Sequence, residues 1–320
     1  TYPPVGTTPL SFKMPQATMR DTTVADFAAG TLACTYVAGT GNGELILAPG
    51  VGAEFSGTAL PTGWTEQTKW QPPAGTSTVS EGRLFVDGAL VVTDNSFGPG
   101  RALEFVATFG AVWYQHAGFG QNLSNDENQA WAMFSTYDTS NGLFVRTKAP
   151  GVSEAFPVQI AGNWLGSPHL YRIEWLSDSI RFYIDGVLRH TANITISATM
   201  RPVVSDDFAN GPVLAVDWMR MSPYTTPCTF ESRIFNAGRL ADWLDLSWTG
   251  NQPSGTAVAF ETRSGNTATP DTSWSAWEAV NSPIASPYGQ FFQYRVTLST
   301  SSADQTPLVD EIIIAYNDAP

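Results

Sequence analysis

The side chains best placed to do chemistry lie in the segment YQHAGFGQ, residues 114–121. Tyr114 and His116 are two positions apart, so on a strand they project from the same face. A neutral imidazole and a phenol on one face can move a proton, and Arg146, in the segment GLFVRTK, can balance developing negative charge. The segment 111–122 contains no Asp or Glu, so this strand offers no carboxylate for catalysis.

These residues need strands to position them, and the sequence pattern predicts strands along the whole chain. Alternating apolar and polar residues recur about every ten positions, as in LYRIEWL at 170–176, with turn signals such as Asp185-Gly186 between them. The 28 Gly and 22 Pro residues are enough to form turns between many short strands. The pattern predicts an all-β protein, and at 320 residues it predicts two domains rather than one.

Alternation also assigns two faces to the predicted strand 111–122. Phe119 shares its parity with Trp113 and Ala117, and we assign this face to the interior between two sheets. The opposite parity, assigned to an exposed groove, belongs to Tyr114, His116, Gly118 and Gly120. Parity leaves open which faces the acidic residues at 104 and 174 occupy.

Composition and charge exclude several classes of protein. The formal net charge is −13 and no Lys/Arg cluster is present, so binding to nucleic acid is not predicted. No apolar run approaches ~18 residues, so membrane insertion is not predicted either. No G-x-S-x-G segment occurs and the three histidines lack an evident nucleophile, so Ser-His-Asp hydrolysis has no support from the sequence.

The two cysteines, Cys34 and Cys228, bear on domain organisation. Their spacing does not suit a zinc site, and we predict a disulfide between them, with two buried thiols as the alternative. Such a bond joins a segment before the first predicted sandwich to the start of the second, so the first sandwich is predicted to be an insertion. The predicted boundaries are an extended N-terminal arm (1–25), strands returning to the second sandwich (26–50), the first sandwich (51–224) and the second sandwich (225–320).

Three motifs carry a family resemblance. AEFSGTALPTGW (53–64), HLYRIEWLSDSIRFYIDG (169–186) and LAVDWMRMSPY (214–224) resemble segments of the laminarinase/lichenase family of glycoside hydrolases. The resemblance implies a concanavalin A-like jelly roll with one concave face. RSGNTATPDTSWSAW (263–277) and QYRVTL (293–298) resemble the small β-sandwiches appended to secreted bacterial carbohydrate-related proteins.

The family's catalytic acids do not carry over. They lie in an E-x-D-x-x-E strand that precedes the HLYRIEW hairpin, and the matching strand here is 111–122, which has no acid. Retaining hydrolysis needs two carboxyl groups ~5–5.5 Å apart. Asp126 and Glu127 are adjacent in a polar segment and are interpreted as a solvated loop.

The first functional hypothesis is therefore a secreted or cell-surface protein that binds a polysaccharide without cleaving it. Aromatic rings stack on sugar rings, and polar side chains bond to sugar hydroxyls. The predicted binding residues are Tyr114, His116, Gln121, Asn122, Trp131, Tyr137, Arg146 and Trp164.

Two alternatives stay open. The first is a polysaccharide lyase or other glycan-cleaving enzyme in which His116 or Tyr114 moves the proton and Arg146 balances a uronate carboxyl. The second is a structural or adhesive surface protein whose N-terminal arm adds a strand to the sheet of another copy, giving self-association.

The resemblance also implies a structural calcium ion remote from the groove. The positions that match the family's ligands are Glu54, Gly82 and Asp217. Oxygen ligands from separate strands suit a hard cation such as Ca²⁺. The alternative interpretation is that Asp217 is a polar residue at a strand edge.

Overall fold

The computed structural model describes residues 17–72, 74–124, 126–138, 141–280 and 283–320. Nearly all regular structure in these residues is strand, so the all-β prediction is confirmed. The chain forms two compact units. Unit 1 joins the described residues up to Leu47 with Thr226–Thr300 and Thr306–Pro320, and unit 2 comprises Ala48–Thr225 and Ser301–Gln305.

The elements follow one another along the chain. Unit 1 begins with β1 (Ala17–Asp21), α1 (Val24–Ala28), β2 (Thr31–Ala33), β3 (Thr35–Ala38) and β4 (Glu44–Leu47). Unit 2 contains β5 (Val51–Ala53), β6 (Trp64–Lys69), β7 (Thr76–Ser80), β8 (Arg83–Asp87), β9 (Ala89–Thr93), β10 (Arg101–Thr108), β11 (Gln115–Gly120), β12 (Trp131–Ser135), β13 (Leu143–Lys148), β14 (Val158–Ile160), β15 (His169–Trp175), β16 (Ile180–Ile184), β17 (Val187–Ala192), β18 (Arg201–Asp206) and β19 (Leu214–Met221). Unit 1 then resumes with β20 (Cys228–Glu231), β21 (Phe235–Asn251), β22 (Thr256–Gly265), β23 (Glu278–Ala279), β24 (Gly289–Thr300) and β25 (Leu308–Asp318).

Unit 2 is a sandwich of two antiparallel sheets. Sheet I has the order β17-β16-β15-β10-β19-β8-β7, with β5 also paired to β19, and sheet II has the order β14-β13-β12-β11-β18-β9-β6. The chain crosses repeatedly from one sheet to the other, as from β9 to β10 and from β10 to β11, and this winding is that of a jelly roll. The predicted jelly-roll sandwich is thus confirmed.

The core of unit 2 lies between the two sheets. Its ring cluster includes Phe119 of β11 and Trp175 of β15, whose ring centroids lie 5.3 Å apart, and Phe134 and Tyr171, which lie 4.8 Å apart. All four side chains are fully buried. Phe119 therefore faces the interior, as its parity predicts.

The outer face of sheet I carries a charged network. Arg172 donates to Glu104 at 2.9 Å, to Glu174 at 3.2 Å and to Asp304 at 2.8 Å. Glu104 and Glu174 alternate with buried core residues along β10 and β15, so both point away from the core. Glu104 and Glu174, whose faces the sequence leaves open, therefore lie on the outer face of sheet I.

Unit 1 is held by the predicted disulfide, which joins Cys34 to Cys228. Its long strand β21 pairs with β24 at Phe235 and with β25 from Ala241 onward, so it joins these two strands within the ten-stranded sheet of unit 1. Strand β1 pairs with β25, so residues 17–21 of the predicted arm belong to this sheet, and residues 1–16 lie outside the described residues. The short helix α1 follows β1. It includes residues 26–28, for which strand was predicted. No helix in the described residues is long and apolar enough to span a bilayer.

Candidate functional site

Strand β11 begins at Gln115, four residues later than the alternation predicts. Tyr114 has φ 59°, a left-handed conformation that no strand residue adopts, so 111–114 form a turn. Gln115 is fully buried, and its amide donates to Asp206 at 2.8 Å and to the Pro212 carbonyl at 2.6 Å. The turn forms because the Gln115 side chain satisfies backbone and carboxylate groups that a loop would otherwise bury unpaired.

His116 faces away from the core, as predicted, but it is not exposed. It lies opposite Ser205 of β18 and Ser135 of β12 and is only 3% exposed. Its Nδ1 has no hydrogen-bond partner among the described residues. Burial, with a further contribution from the charge of Arg146, lowers the pKa of His116 well below its ordinary value, so the ring is neutral at pH 7. The prediction of an exposed His116 is therefore wrong: the residue lies in a central strand of sheet II, with the Tyr114 ring centroid 6.2 Å from its own.

Side chains cover part of this face of sheet II, over β9 and β18. Trp70 and Leu123 pack on an apolar patch made of Leu90, Val92 and Val203. The Trp70 indole donates to the Ser205 hydroxyl at 2.8 Å, which fixes the ring over the sheet. The part of this face over β9 and β18 is therefore occupied by side chains of the protein itself.

Gly118 and Gly120, which parity assigns to the same face as His116, pack closely against other protein atoms. A Cβ at Gly118 would come within 2.6 Å of the Ala132 carbonyl oxygen and 2.7 Å of Ile173, and its φ is +152°. A Cβ at Gly120 would meet Leu123 at 2.7 Å. Close packing of the protein itself, not the approach of a ligand, accounts for glycine at both positions.

The side chains of Gln121 and Asn122 form hydrogen bonds with other groups of the protein. Gln121 accepts from the Ala130 amide and donates to the Thr199 carbonyl, each at 3.0 Å. The side-chain oxygen of Asn122 accepts from Gln67 at 3.0 Å and from Arg201 at 2.9 Å. Both predicted binding residues therefore hold protein groups in place.

Trp131 is mostly buried, and it lines a cleft together with Arg146. It is 7% exposed, and its indole donates to Glu154 at 3.0 Å. Arg146 and Lys148 lie 5.3 and 4.7 Å from its ring centroid. A cleft of about 410 Å³ opens beside this group and is lined in part by Glu127, Lys148 and Glu154.

Arg146 is held by an ion pair. Its Nε and Nη2 each donate to a different oxygen of Glu154 at 2.8 Å, and its guanidinium lies 5.4 Å from the Tyr137 ring centroid. Two parallel bonds of this type fix the guanidinium and balance its charge. Arg146 therefore supports Tyr137 and Trp131 rather than offering a free cation.

A contiguous set of aromatic rings lies at one end of sheet II. We call it the aromatic row: Trp113, Phe208, Tyr114, Tyr137 and Phe144. Neighbouring centroids lie 5.8–6.5 Å apart, and the Tyr114 and Phe208 rings are stacked at 25°. Trp113 is 50% exposed and Phe208 37% exposed, and these two line a depression of about 310 Å³.

The sequence assigned the aromatic row only in part. Tyr114 and Tyr137 were predicted at the site, and the ring contact between them brings them together. Trp113 was placed in the interior because the strand was started too early. Phe208 was missed, although its position in the turn-rich segment SDDFANG is a signal for a surface aromatic residue.

Two carboxyl groups beside the aromatic row were also missed. Asp206 ends β18 and Asp207 follows it, with the Asp207 amide donating to the Tyr114 carbonyl at 3.2 Å. Burial raises the pKa of Asp206 to about 7 and that of Asp207 to about 6. The Ser205 hydroxyl donates to Asp207 at 3.2 Å.

The raised pKa of Asp206 predicts a pH dependence of stability. Because its pKa is near 3.9 in the unfolded chain, the folded state binds an extra proton between about pH 4 and pH 7. Stability from this group is complete below about pH 4 and is lost as the pH rises to about 7. Urea midpoints measured across this range should fall less steeply in Asp206→Asn than in the wild type. Asp178→Asn, in an exposed turn, is the control, and equal slopes for all three proteins would contradict the assignment.

Trp164, the remaining predicted binding residue, lies away from the aromatic row. It packs partly on the core, with the guanidinium of Arg189 4.8 Å from its ring centroid and the His169 ring at 5.1 Å. Beside it, the Ser167 hydroxyl lies 3.1 Å from His169 Nε2, and His169 Nδ1 lies 2.9 Å from Asp185 Oδ2. The expectation that no histidine has a partnered nucleophile is therefore wrong, because the turn before β15 brings Ser167 onto the ring.

The residues that the resemblance assigns to calcium do not fit an ion as they are arranged. Both carboxylate oxygens of Glu54 accept from Arg220, at 2.9 and 3.0 Å. Gly82 lies in the turn between β7 and β8, and Asp217 lies in β19. Across the described ranges, no group of three or more His, Cys, Asp or Glu side chains could hold a metal. A cation at Glu54 would have to displace Arg220, and calcium stays an untested prediction.

Comparisons with known proteins give likenesses in structure only. No family model matches the chain, and no curated protein matches it. Among solved structures, the immunostimulatory antigen and pseudo β-1,3-glucanase of Mycobacterium tuberculosis is 14% identical, with a TM-score of 0.41 over 54% of this chain and 98% of that one. The β-glucanase of Bacillus licheniformis is 17% identical, with a TM-score of 0.42 over 53% and 96%. The endo-β-1,3-glucanase of Pyrococcus furiosus is 12% identical, with a TM-score of 0.44 over 59% and 97%. Likeness at this level carries no statement about activity.

Proposed function

We propose that this protein is a secreted polysaccharide-binding protein that recognises its glycan along the aromatic row and does not cleave it. The observation that carries the proposal is the exposure of Trp113 and Phe208 in one unbroken set of ring contacts with Tyr114 and Tyr137. Exposed apolar patches with polar rims mark binding surfaces on soluble proteins.

The chemistry around the aromatic row suits sugar rings. A pyranose presents apolar C–H faces, which pack on aromatic rings, and hydroxyls, which need hydrogen-bond partners. Asp207, half-buried beside Tyr114, and the exposed Asp138 after Tyr137 supply acceptors at the edge of the rings.

The same contacts favour binding over cleavage. Strand β11 carries no carboxylate, and a lyase would need a free cation to balance a uronate carboxyl. Arg146, the residue proposed for that role, already has its charge balanced by Glu154. His116 is neutral but almost fully buried, so it is poorly placed to reach a substrate carbon.

Trp113→Ala is expected to weaken glycan binding by ~1–2 kcal/mol, or roughly 5- to 30-fold, through loss of a stacking surface. Because Trp113 is half exposed, the folded state should lose little stability. Titration calorimetry with the polysaccharide bound best by the wild type measures the effect. Tyr288→Ala is the matched control, since Tyr288 is equally exposed but lies in unit 1. If both variants bind like the wild type, the aromatic row is not the site.

A further inference from the structure

The contacts of His169 form a relay outside the aromatic row. Ser167 Oγ lies 3.1 Å from Nε2 of the ring, and Asp185 Oδ2 lies 2.9 Å from Nδ1. This is the connectivity by which an imidazole activates a hydroxyl nucleophile, with the carboxylate on one ring nitrogen and the hydroxyl on the other.

The hydrogen bonds determine which ring nitrogen carries the proton. Burial tends to raise the pKa of Asp185, but hydrogen bonds from His169 and from the Leu170 amide outweigh it and lower the pKa, so the carboxylate is ionised and only accepts. His169 Nδ1 must therefore donate to Asp185. In the neutral ring Nε2 is then the acceptor, and the Ser167 hydroxyl donates to it.

Backbone hydrogen bonds fix the residues of this relay at a position that is exposed to solvent. Asp185 begins the tight turn between β16 and β17, and its second oxygen accepts from the Leu170 amide at 3.0 Å, which fixes the carboxylate. The Gly166 amide donates to the Phe109 carbonyl at 2.8 Å and anchors the turn that carries Ser167. Ser167 and its neighbours Gly166 and Pro168 are exposed.

We propose that Ser167, His169 and Asp185 form a second site, which hydrolyses short-chain esters by acyl transfer. Ser167 Oγ attacks the ester carbonyl while His169 Nε2 takes the hydroxyl proton, and the C–O bond to the alcohol breaks as that proton passes to the leaving oxygen. Water then attacks the acyl-serine through the same base, which releases the carboxylic acid and restores the hydroxyl. Water is the only co-reactant, and no electron transfer is involved.

The exposure of the site indicates the class of ester. A leaving alcohol of any size can extend into solvent from Ser167, so an ester carried on a polymer can reach the nucleophile. A small acyl group, such as acetyl, needs no deep pocket. Arg189, whose guanidinium lies over the Trp164 ring at 4.8 Å, adds positive charge near Asp185 at the edge of the site.

Hydrolysis of 4-nitrophenyl acetate by the intact protein tests the proposal. Ser167→Ala is expected to lower kcat/KM at least about 100-fold, the lower end of what a positioned general base contributes. His169→Gln should lower it similarly, and Ser177→Ala, at an exposed serine in the turn before β16, should leave it unchanged.

Covalent labelling separates the serine from the imidazole. A fluorophosphonate probe should label the peptide that carries Ser167 in the wild type, and His169→Gln should abolish the label. If Ser167→Ala hydrolyses the ester as fast as the wild type, the histidine acts alone and the proposal is overturned. Absence of probe on Ser167 would overturn it as well.

Discussion

Removing the Cys34–Cys228 disulfide is expected to destabilise the protein by about 5 kcal/mol. The bond closes a loop with a sequence separation of 194, and in the chain-entropy account a cross-link of this length removes a large number of unfolded conformations. Cys34 lies after β2 and Cys228 begins β20, which pairs with β2, so the bond constrains two neighbouring strands of unit 1. Urea unfolding of the wild type and of the Cys34→Ser/Cys228→Ser double variant measures the difference.

Matched controls make this test specific. The single variants Cys34→Ser and Cys228→Ser should each lose as much stability as the double variant, because either one removes the same bond. The chain-entropy argument also predicts that a reductant shifts the wild-type midpoint and leaves that of the double variant unchanged. A wild-type midpoint that does not respond to reductant, or two free thiols in the unfolded protein, would contradict the account.

Phe119→Ala is expected to cost ~3–5 kcal/mol of unfolding free energy, since it leaves a cavity between the two sheets of unit 2. The Phe119 ring is fully buried against Trp175 at 5.3 Å. Phe208→Ala is the matched control because it truncates the same side chain at an exposed position, where a loss within ~0.5–1 kcal/mol is expected. Chemical denaturation of both variants measures the contrast, and equal losses would mean that the two faces of sheet II are assigned wrongly.

The fold of unit 2 was predictable because its signals are local. Alternation along 170–176 places Tyr171, Ile173 and Trp175 on one face, and all three are buried in the core. The Asp185-Gly186 pair predicts the tight turn that joins β16 to β17. Each of these inferences needs only residues a few positions apart, which is the range over which strand periodicity and turn chemistry act.

The surface of sheet II was not predictable in the same way. His116 is 3% exposed although its parity predicts an outward position, and Trp70 packs on Leu90, Val92 and Val203, the last of which lies on β18, far from Trp70 along the chain. The left-handed conformation of Tyr114 is set by the buried hydrogen bonds of Gln115 to Asp206 and Pro212, about ninety residues further along the chain. Alternation carries no information about such long-range contacts, so it started β11 too early and misplaced Trp113.

The relay of Ser167, His169 and Asp185 also depends on a feature that alternation does not predict, the register between two strands. Ser167 and His169 are close in sequence, but Asp185 reaches the ring only because β15 and β16 pair with Tyr171 opposite Ile184. Because the contact depends on that register, no nucleophile motif marks it in the sequence.

Affinity electrophoresis of the wild-type protein against a panel of polysaccharides tests the central claim most directly. The same incubations are assayed for new reducing ends and for absorbance of unsaturated products. We expect retardation by at least one polysaccharide, with neither product formed. Cleavage of a retarding polysaccharide, or no retardation by any member of the panel, would contradict the account of a glycan-binding surface without cleavage.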